Sequence, residues 1–247
     1  MDEKLRRLER KFKESGTIGD EVAFLAEKIR VGQILKEQLE LASYLDYPAA
    51  RVLYPTPITI CSILNGSDAA DTISESWEAA LSPFDVLFAA AISAADAVVK
   101  RCSEGDDTEE RFREILRYHL TAAIRGFGNR ESPMTYGYDG GVIQQELAAV
   151  PGDFSRRRQL QYAMYCIYNL CEALDMYLMN MEDQMYNEVR MSLYNALEFF
   201  PYERDMLCKK IGMDLVPWLL SDWPPTPSRL VELNFDPLPW RPHWERE

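Results

Sequence analysis

Histidine is nearly missing from this chain: His119 and His243 are the only two in 247 residues. Most nucleophilic triads are thereby removed, because a serine or cysteine nucleophile takes its activation from a histidine base. His119 falls between Tyr118 and Leu120 inside a helical pattern and reads as a helix-face side chain with a local hydrogen bond; His243 reads as a solvated residue of the tail. The position three before His119 is Leu116, so the Glu-x-x-His pair of di-metal bundles is lacking. No Walker loop, G-x-G-x-x-G, H-E-x-x-H or G-x-S-x-G string occurs either. The expectation is a chain with no catalytic residue, no metal site and no cofactor.

Cysteine is sparse and badly spaced for cross-linking. The five stand at 61, 102, 166, 171 and 208, an odd number with no C-x-x-C pair. Neither a disulfide framework nor a zinc site is indicated, and small buried thiols in a reducing cytoplasm fit best. Positive charge is also short: 27 Lys and Arg face 40 Asp and Glu, a net charge of −13. Such a surface repels phosphate backbones, so generic nucleic-acid binding is not expected, whereas a basic protein partner is allowed. Long apolar runs are absent as well. The most apolar stretch, Pro83 to Val99, carries Asp85 and Asp96, where a membrane span needs roughly 20 mostly uncharged residues. The opening MDEKLRRLERKFKE is charged throughout and has no apolar core of a secretory signal.

What is present is apolar periodicity near 3.6. With 47% apolar and 27% charged residues, the chain is globular in composition, and the spacing predicts an all-α multi-helix bundle. Leu5, Leu8 and Phe12 share a face over Asp2 to Glu14. Val22, Leu25, Ala26 and Ile29 do so over Asp20 to Val31, with Gly32 as the residue that ends the helix in the left-handed conformation. Leu35, Leu39, Ala42 and Leu45 align in a third helix, and a short one follows Tyr47-Pro48. Residues 1–53 thus read as a small N-terminal helical module, followed by a linker at 54–72.

Within that module, Asp20, Glu21, Ala23, Leu25, Glu27, Ile29, Arg30 and Gly32 match a pattern DE-x-A-x-L-x-E-x-[IV]-R-x-G. Leu39, Glu40, Leu41, Ala42, Tyr44, Tyr47, Ala49, Ala50 and Arg51 match its continuation. The stretch resembles a helical N-terminal module of uncharacterised bacterial proteins. The resemblance implies a bacterial source and helical hairpin packing, and it carries no activity.

Residues 73–213 read as the bundle proper. Ser82-Pro83-Phe84-Asp85 starts a helix that runs to about Cys102, its alanines suiting close contact with another helix. Thr108 to Gly126 follows, ended by Gly126 and Gly128, and Val142 to Ala149 is a short helix. From Asp153 to Phe200 there is neither glycine nor proline, and apolar residues from Leu160 to Met185 alternate four and three apart. This predicts one long central helix, or two in line with a bend near Asn180 to Asn187, with a homodimeric coiled coil as the sharper alternative. Tyr202 to Ile211 is the last helix. Residues 214–247 then read as an extended tail, since seven of the fourteen prolines and four of the five tryptophans lie between Pro217 and Trp244.

Three features are candidates for function. Tyr136, Tyr138, Asp139 and Gly140 lie in the most glycine-rich and aromatic loop, where backbone can approach a ligand; the plainer reading is a tight connection packed by its own rings. Trp218, Trp223, Trp240 and Trp244 are too apolar to leave in water and must dock on the protein's own bundle or on a partner. Arg156, Arg157 and Arg158 can grip phosphate, although in so acidic a chain an internal acidic neighbour is the simpler expectation. Together these point to a cytoplasmic protein-interaction or regulatory protein, with another protein as partner. An accessory or immunity-type subunit of a bacterial defence system, such as a CRISPR-associated one, is the alternative. An enzyme working through Tyr136, Tyr138 and Asp139 is a third.

Overall fold

The computed structural model describes residues 3–57, 59–60, 84–102, 110–149, 154–221, 226 and 228–229. Among them are ten α-helices and no strand. In chain order these are α1 (Glu3–Ser15), α2 (Ile18–Arg30), α3 (Lys36–Tyr44), α4 (Pro48–Leu53), α5 (Phe84–Cys102), α6 (Glu110–Asn129), α7 (Gly140–Ala149), α8 (Phe154–Leu178), α9 (Glu182–Phe199) and α10 (Arg204–Ser221). A 3-10 turn over Pro133–Tyr136 connects α6 to α7. The expected all-α multi-helix bundle is what the chain forms. No described helix is long and apolar enough to cross a membrane.

The centre of the bundle is α5, not the Asp153 to Phe200 stretch. Fifteen of its nineteen residues are buried, and it packs against α6, α8, α9 and α10. Its run of alanines removes side-chain bulk on every side, which lets several helices approach at once. The two aspartates inside this apolar helix are matched by cations. Asp85 pairs with Arg130 of the α6 C-terminus at 2.6 Å, and Asp96 with Lys100 at 2.8 Å and with Lys210 of α10 at 2.9 Å.

The expected long helix from Asp153 to Phe200 is two helices, broken at Asn180 where the alternative placed a bend, but they are not in line: α8 and α9 form an antiparallel hairpin. Ser192 Oγ donates to the Cys166 carbonyl at 2.6 Å, and Asn195 Nδ2 to Asn169 Oδ1 at 3.3 Å. The break is made by Asn180, whose φ of 57° places it in the left-handed region. Its N–H returns to the Tyr177 carbonyl and that of Met181 to Met176, at 3.0 and 2.9 Å. This pair of bonds closes the helix end. The apolar stripe continues through the turn, so periodicity alone does not reveal the reversal. Gly126 does not end α6 either: the helix runs on to Asn129. A Cβ at Gly126 would lie 2.7 Å from the Glu131 carbonyl oxygen and 2.9 Å from Leu174 Cδ2. The residue permits a close approach within the helix.

Helix α10 corrects the start of the tail. It passes Met213 and runs to Ser221 with Pro217 inside it. An interior proline costs about 3 kcal/mol. Leu215, Val216, Trp218 and Leu219 are all buried, and each such side chain contributes roughly 1.5–3 kcal/mol, so burial outweighs the break. Gln38 adds a bond at the far end. Its amide nitrogen donates to the Leu219 carbonyl, while its amide oxygen accepts from the Leu35 N–H at 2.6 Å. One side chain thus serves the start of α3 and the end of α10, and ties the N-terminal helices to the bundle.

Candidate functional site

The loop singled out by its glycines and tyrosines is committed to structure. Tyr136 Oη donates to the Glu131 carboxylate and accepts from Asn129 Nδ2, both at 2.6 Å. Gly137 has φ of 83°, and a Cβ there would lie 1.9 Å from Tyr118 Oη. Tyr138 is buried, donates to Glu172 Oε1 at 3.1 Å and meets the buried His119 ring edge-on at 5.6 Å. Burial raises its phenol pKa well above the ordinary value. Asp139 Oδ1 accepts from the N–H groups of Gly141 and Val142, at 2.9 and 3.4 Å. It therefore acts as the N-terminal cap of α7. Gly140 lies under the Tyr168 ring, 2.7 Å from where its Cβ would be.

Trp218 is fully buried in the protein's own core, and its Nε1 donates to the Thr226 carbonyl at 2.9 Å. Its place is in the packing of α10. Trp223, Trp240 and Trp244 lie outside the described residues, as does His243. The described cysteines are buried free thiols. Burial pushes the Cys166 thiol up to about 12 and Cys171 well above its usual range. Neither has the depressed pKa that a nucleophilic thiolate requires. Among the described residues no group of three or more His, Cys, Asp and Glu is placed to hold a metal ion.

The third candidate, the arginine run, opens onto a cleft. Where α8 begins and α9 ends, the hairpin brings a helix N-terminus beside a helix C-terminus. Between them and the 200–203 corner lies a cavity of about 530 Å³. Ser155, Arg156, Arg158, Gln159 and Tyr162 of α8 form one wall. Glu198, Phe199 and the corner residues Phe200, Pro201, Tyr202 and Glu203 form the other, and Arg101 reaches in from the end of α5.

Each charged group here is oriented by a neighbour. Arg158 Nε donates to Tyr162 Oη at 3.1 Å, and its guanidinium lies 5.7 Å from the centroid of the same ring. Arg156 donates to Gln159 Oε1 at 2.7 Å. Both contacts fix the direction of a guanidinium. On the opposite wall Arg101 pairs with Glu203 at 3.0 Å and Arg204 with Glu198 at 3.7 Å. Phe199 and Phe200 pack edge-to-face at 4.9 Å below the corner. Tyr202 is 97% exposed, a bare aromatic ring at the rim.

Of the cleft residues, only Arg156 and Arg158 belong to a feature that the sequence reading picked out. Arg101 and the 198–203 stretch lie about 100 residues apart in sequence, and only the fold brings both beside the start of α8. One local signal pointed to the corner: Pro201-Tyr202 puts a large aromatic ring just after a helix-ending proline, where it cannot be buried by its own helix. No family model, curated protein or solved structure is matched by this chain.

Proposed function

We propose that this chain is a cytoplasmic, non-catalytic recognition protein, regulatory in role, that binds an anionic group of its ligand or partner in the cleft between α8 and the α9–α10 corner. The observation that carries the reading is that three arginines, Arg101, Arg156 and Arg158, line one cavity with Tyr162 and Tyr202, against two carboxylates, Glu198 and Glu203, the latter paired with Arg101, in a chain whose net charge is −13. An acidic protein repels anions over most of its surface, so a local set of guanidinium groups is selective for where an anion settles. Guanidinium also matches carboxylate and phosphate geometry with paired donors, the strong class of charged hydrogen bond.

The cleft is open and preformed, which suits binding with little rearrangement. The acidic remainder of the surface is free to face a basic partner, as an accessory or regulatory subunit would require. Differential scanning fluorimetry with a panel of carboxylates and phosphates tests the reading. A saturable rise in Tm is expected for at least one of them in the native protein, lost in Arg158→Glu. No rise with any anion, or an equal rise in the charge-reversed variant, contradicts it.

A further inference from the structure

We propose that the outward face of α1 is a docking surface for an acidic helical segment of a partner protein, held by Arg6, Arg7 and Arg10. Helix α1 carries six cations among its thirteen residues, against three glutamates, and the cations divide by type. Every lysine is engaged within the chain: Lys4 with Glu27 at 2.7 Å, Lys11 with Asp20 at 2.6 Å and Lys13 with Glu9 at 2.7 Å. The three arginines are exposed, and their guanidinium groups make no ion pair or hydrogen bond with a described residue. The chain has 40 carboxylates for 27 Lys and Arg, so these arginines do not stand bare for want of internal acids.

Helical spacing puts the three together. Arg10 lies one turn beyond Arg6 and Arg7, and all three point away from the side of Leu5, Leu8 and Phe12. Glu3 and Glu14 share this outward side at its two ends, and Glu9 at its edge is taken by Lys13. The middle turn therefore presents guanidinium groups to solvent. Arginine is the cation enriched at protein interfaces, less tightly hydrated than lysine and able to hold a carboxylate with two donors. Carboxylates repeated three and four residues apart along one side of a second helix match this spacing. Two other polyanions fit less well. A membrane-surface helix inserts its apolar side, and that of α1 is already spent on α2: Leu5 is buried and Phe12 stacks on Phe24 at 6.2 Å. A nucleic-acid strand runs past a helix roughly 20 Å long, onto a chain whose net charge of −13 repels it. A short acidic segment stays within the face. The face shares no residue with the α8 cleft.

Anisotropy of a labelled, helical glutamate-rich peptide titrated with the full chain tests this, at low ionic strength where exposed charges are least screened. A single-stranded oligonucleotide and phosphatidylserine vesicles are titrated alongside. The peptide should bind, and Arg6→Gln, Arg7→Gln and Arg10→Gln together should weaken it at least about tenfold. Lys36→Gln, Arg51→Gln and Arg111→Gln together remove the same charge from other exposed ion pairs and should leave binding unchanged. All six side chains are exposed, and an unchanged circular dichroism spectrum checks that both variants fold. The assignment is overturned if the peptide does not bind, if the two triple variants behave alike, or if the oligonucleotide or the vesicles bind more tightly than the peptide.

Discussion

Asp46, Arg130 and Asn180 hold φ values of 63°, 59° and 57°, a region that costs an L-residue roughly 1–2 kcal/mol. Each terminates a helix by the same pair of backbone bonds that Gly32 uses after α2. Two of the three are held by side-chain contacts. Asp46 accepts from Arg51 at 2.9 Å; Arg130 pairs with Asp85 and lies over the rings of Phe127 and Tyr177, at 5.6 and 5.1 Å. Asn180 relies on the tolerance of asparagine for this conformation. Asn180→Gly should therefore leave stability equal or a few tenths of a kcal/mol higher, and Asn180→Val should lower it by about 1–2 kcal/mol. Urea unfolding at constant m-value measures both; a neutral valine variant contradicts this account of the turn. The same residues explain why helix ends were hard to read from sequence. Stops made by glycine, such as Gly32, stand out, while stops made by asparagine, aspartate and arginine look like the middle of a helix.

At the scale of elements, the α1–α2 pair shows how the N-terminal pattern works. Asp20 pairs with Lys11 of α1 at 2.6 Å and Glu27 with Lys4 at 2.7 Å. Lys11 first, then the Ser15 and Thr17 hydroxyls, hold the Asp20 carboxyl at about 2. Arg30 and then Lys4 hold Glu27 at about 2. Carboxyls depressed in the folded state contribute stability that is complete above the ordinary carboxylate pKa of about 4 and is lost as pH falls toward the folded value. The protection factors of α1 amides, corrected for the intrinsic pH dependence of exchange, should accordingly fall between about pH 4 and pH 2, ahead of those of α5. Equal protection of α1 at pH 2 and pH 6 contradicts the assignment. Much of the matched motif has such packing roles: Leu25, Leu39, Ala42, Ala49 and Ala50 are buried, Glu21 accepts from Tyr47, and Gly32 ends α2. Helix existence and the inward faces were legible here because periodicity reports them directly. The hairpin reversal after Leu178 and the passage of α10 through Pro217 were not. Both are decided by tertiary burial and by contacts such as Gln38 to Leu219, which join residues 181 apart in sequence.

On the scale of the whole molecule, the fold places an apolar, alanine-rich helix at the centre and brings Arg101, Arg156 and Arg158 together at one end of the hairpin. The all-α class followed from composition and period, whereas the cleft did not. Arg101, Arg158, Glu198 and Tyr202 share one cavity only because α5, α8, α9 and the corner before α10 converge. The loop with the most suggestive composition, Tyr136 to Gly141, makes capping and packing contacts. The function proposed above places ligand recognition at this convergence. Hydrogen exchange with and without the carboxylate or phosphate that raises Tm is the sharpest check. Added protection is expected only in the first turns of α8 and the 200–203 corner, and none in Arg158→Glu. Protection that falls elsewhere on the bundle, or that survives in the charge-reversed protein, would contradict it.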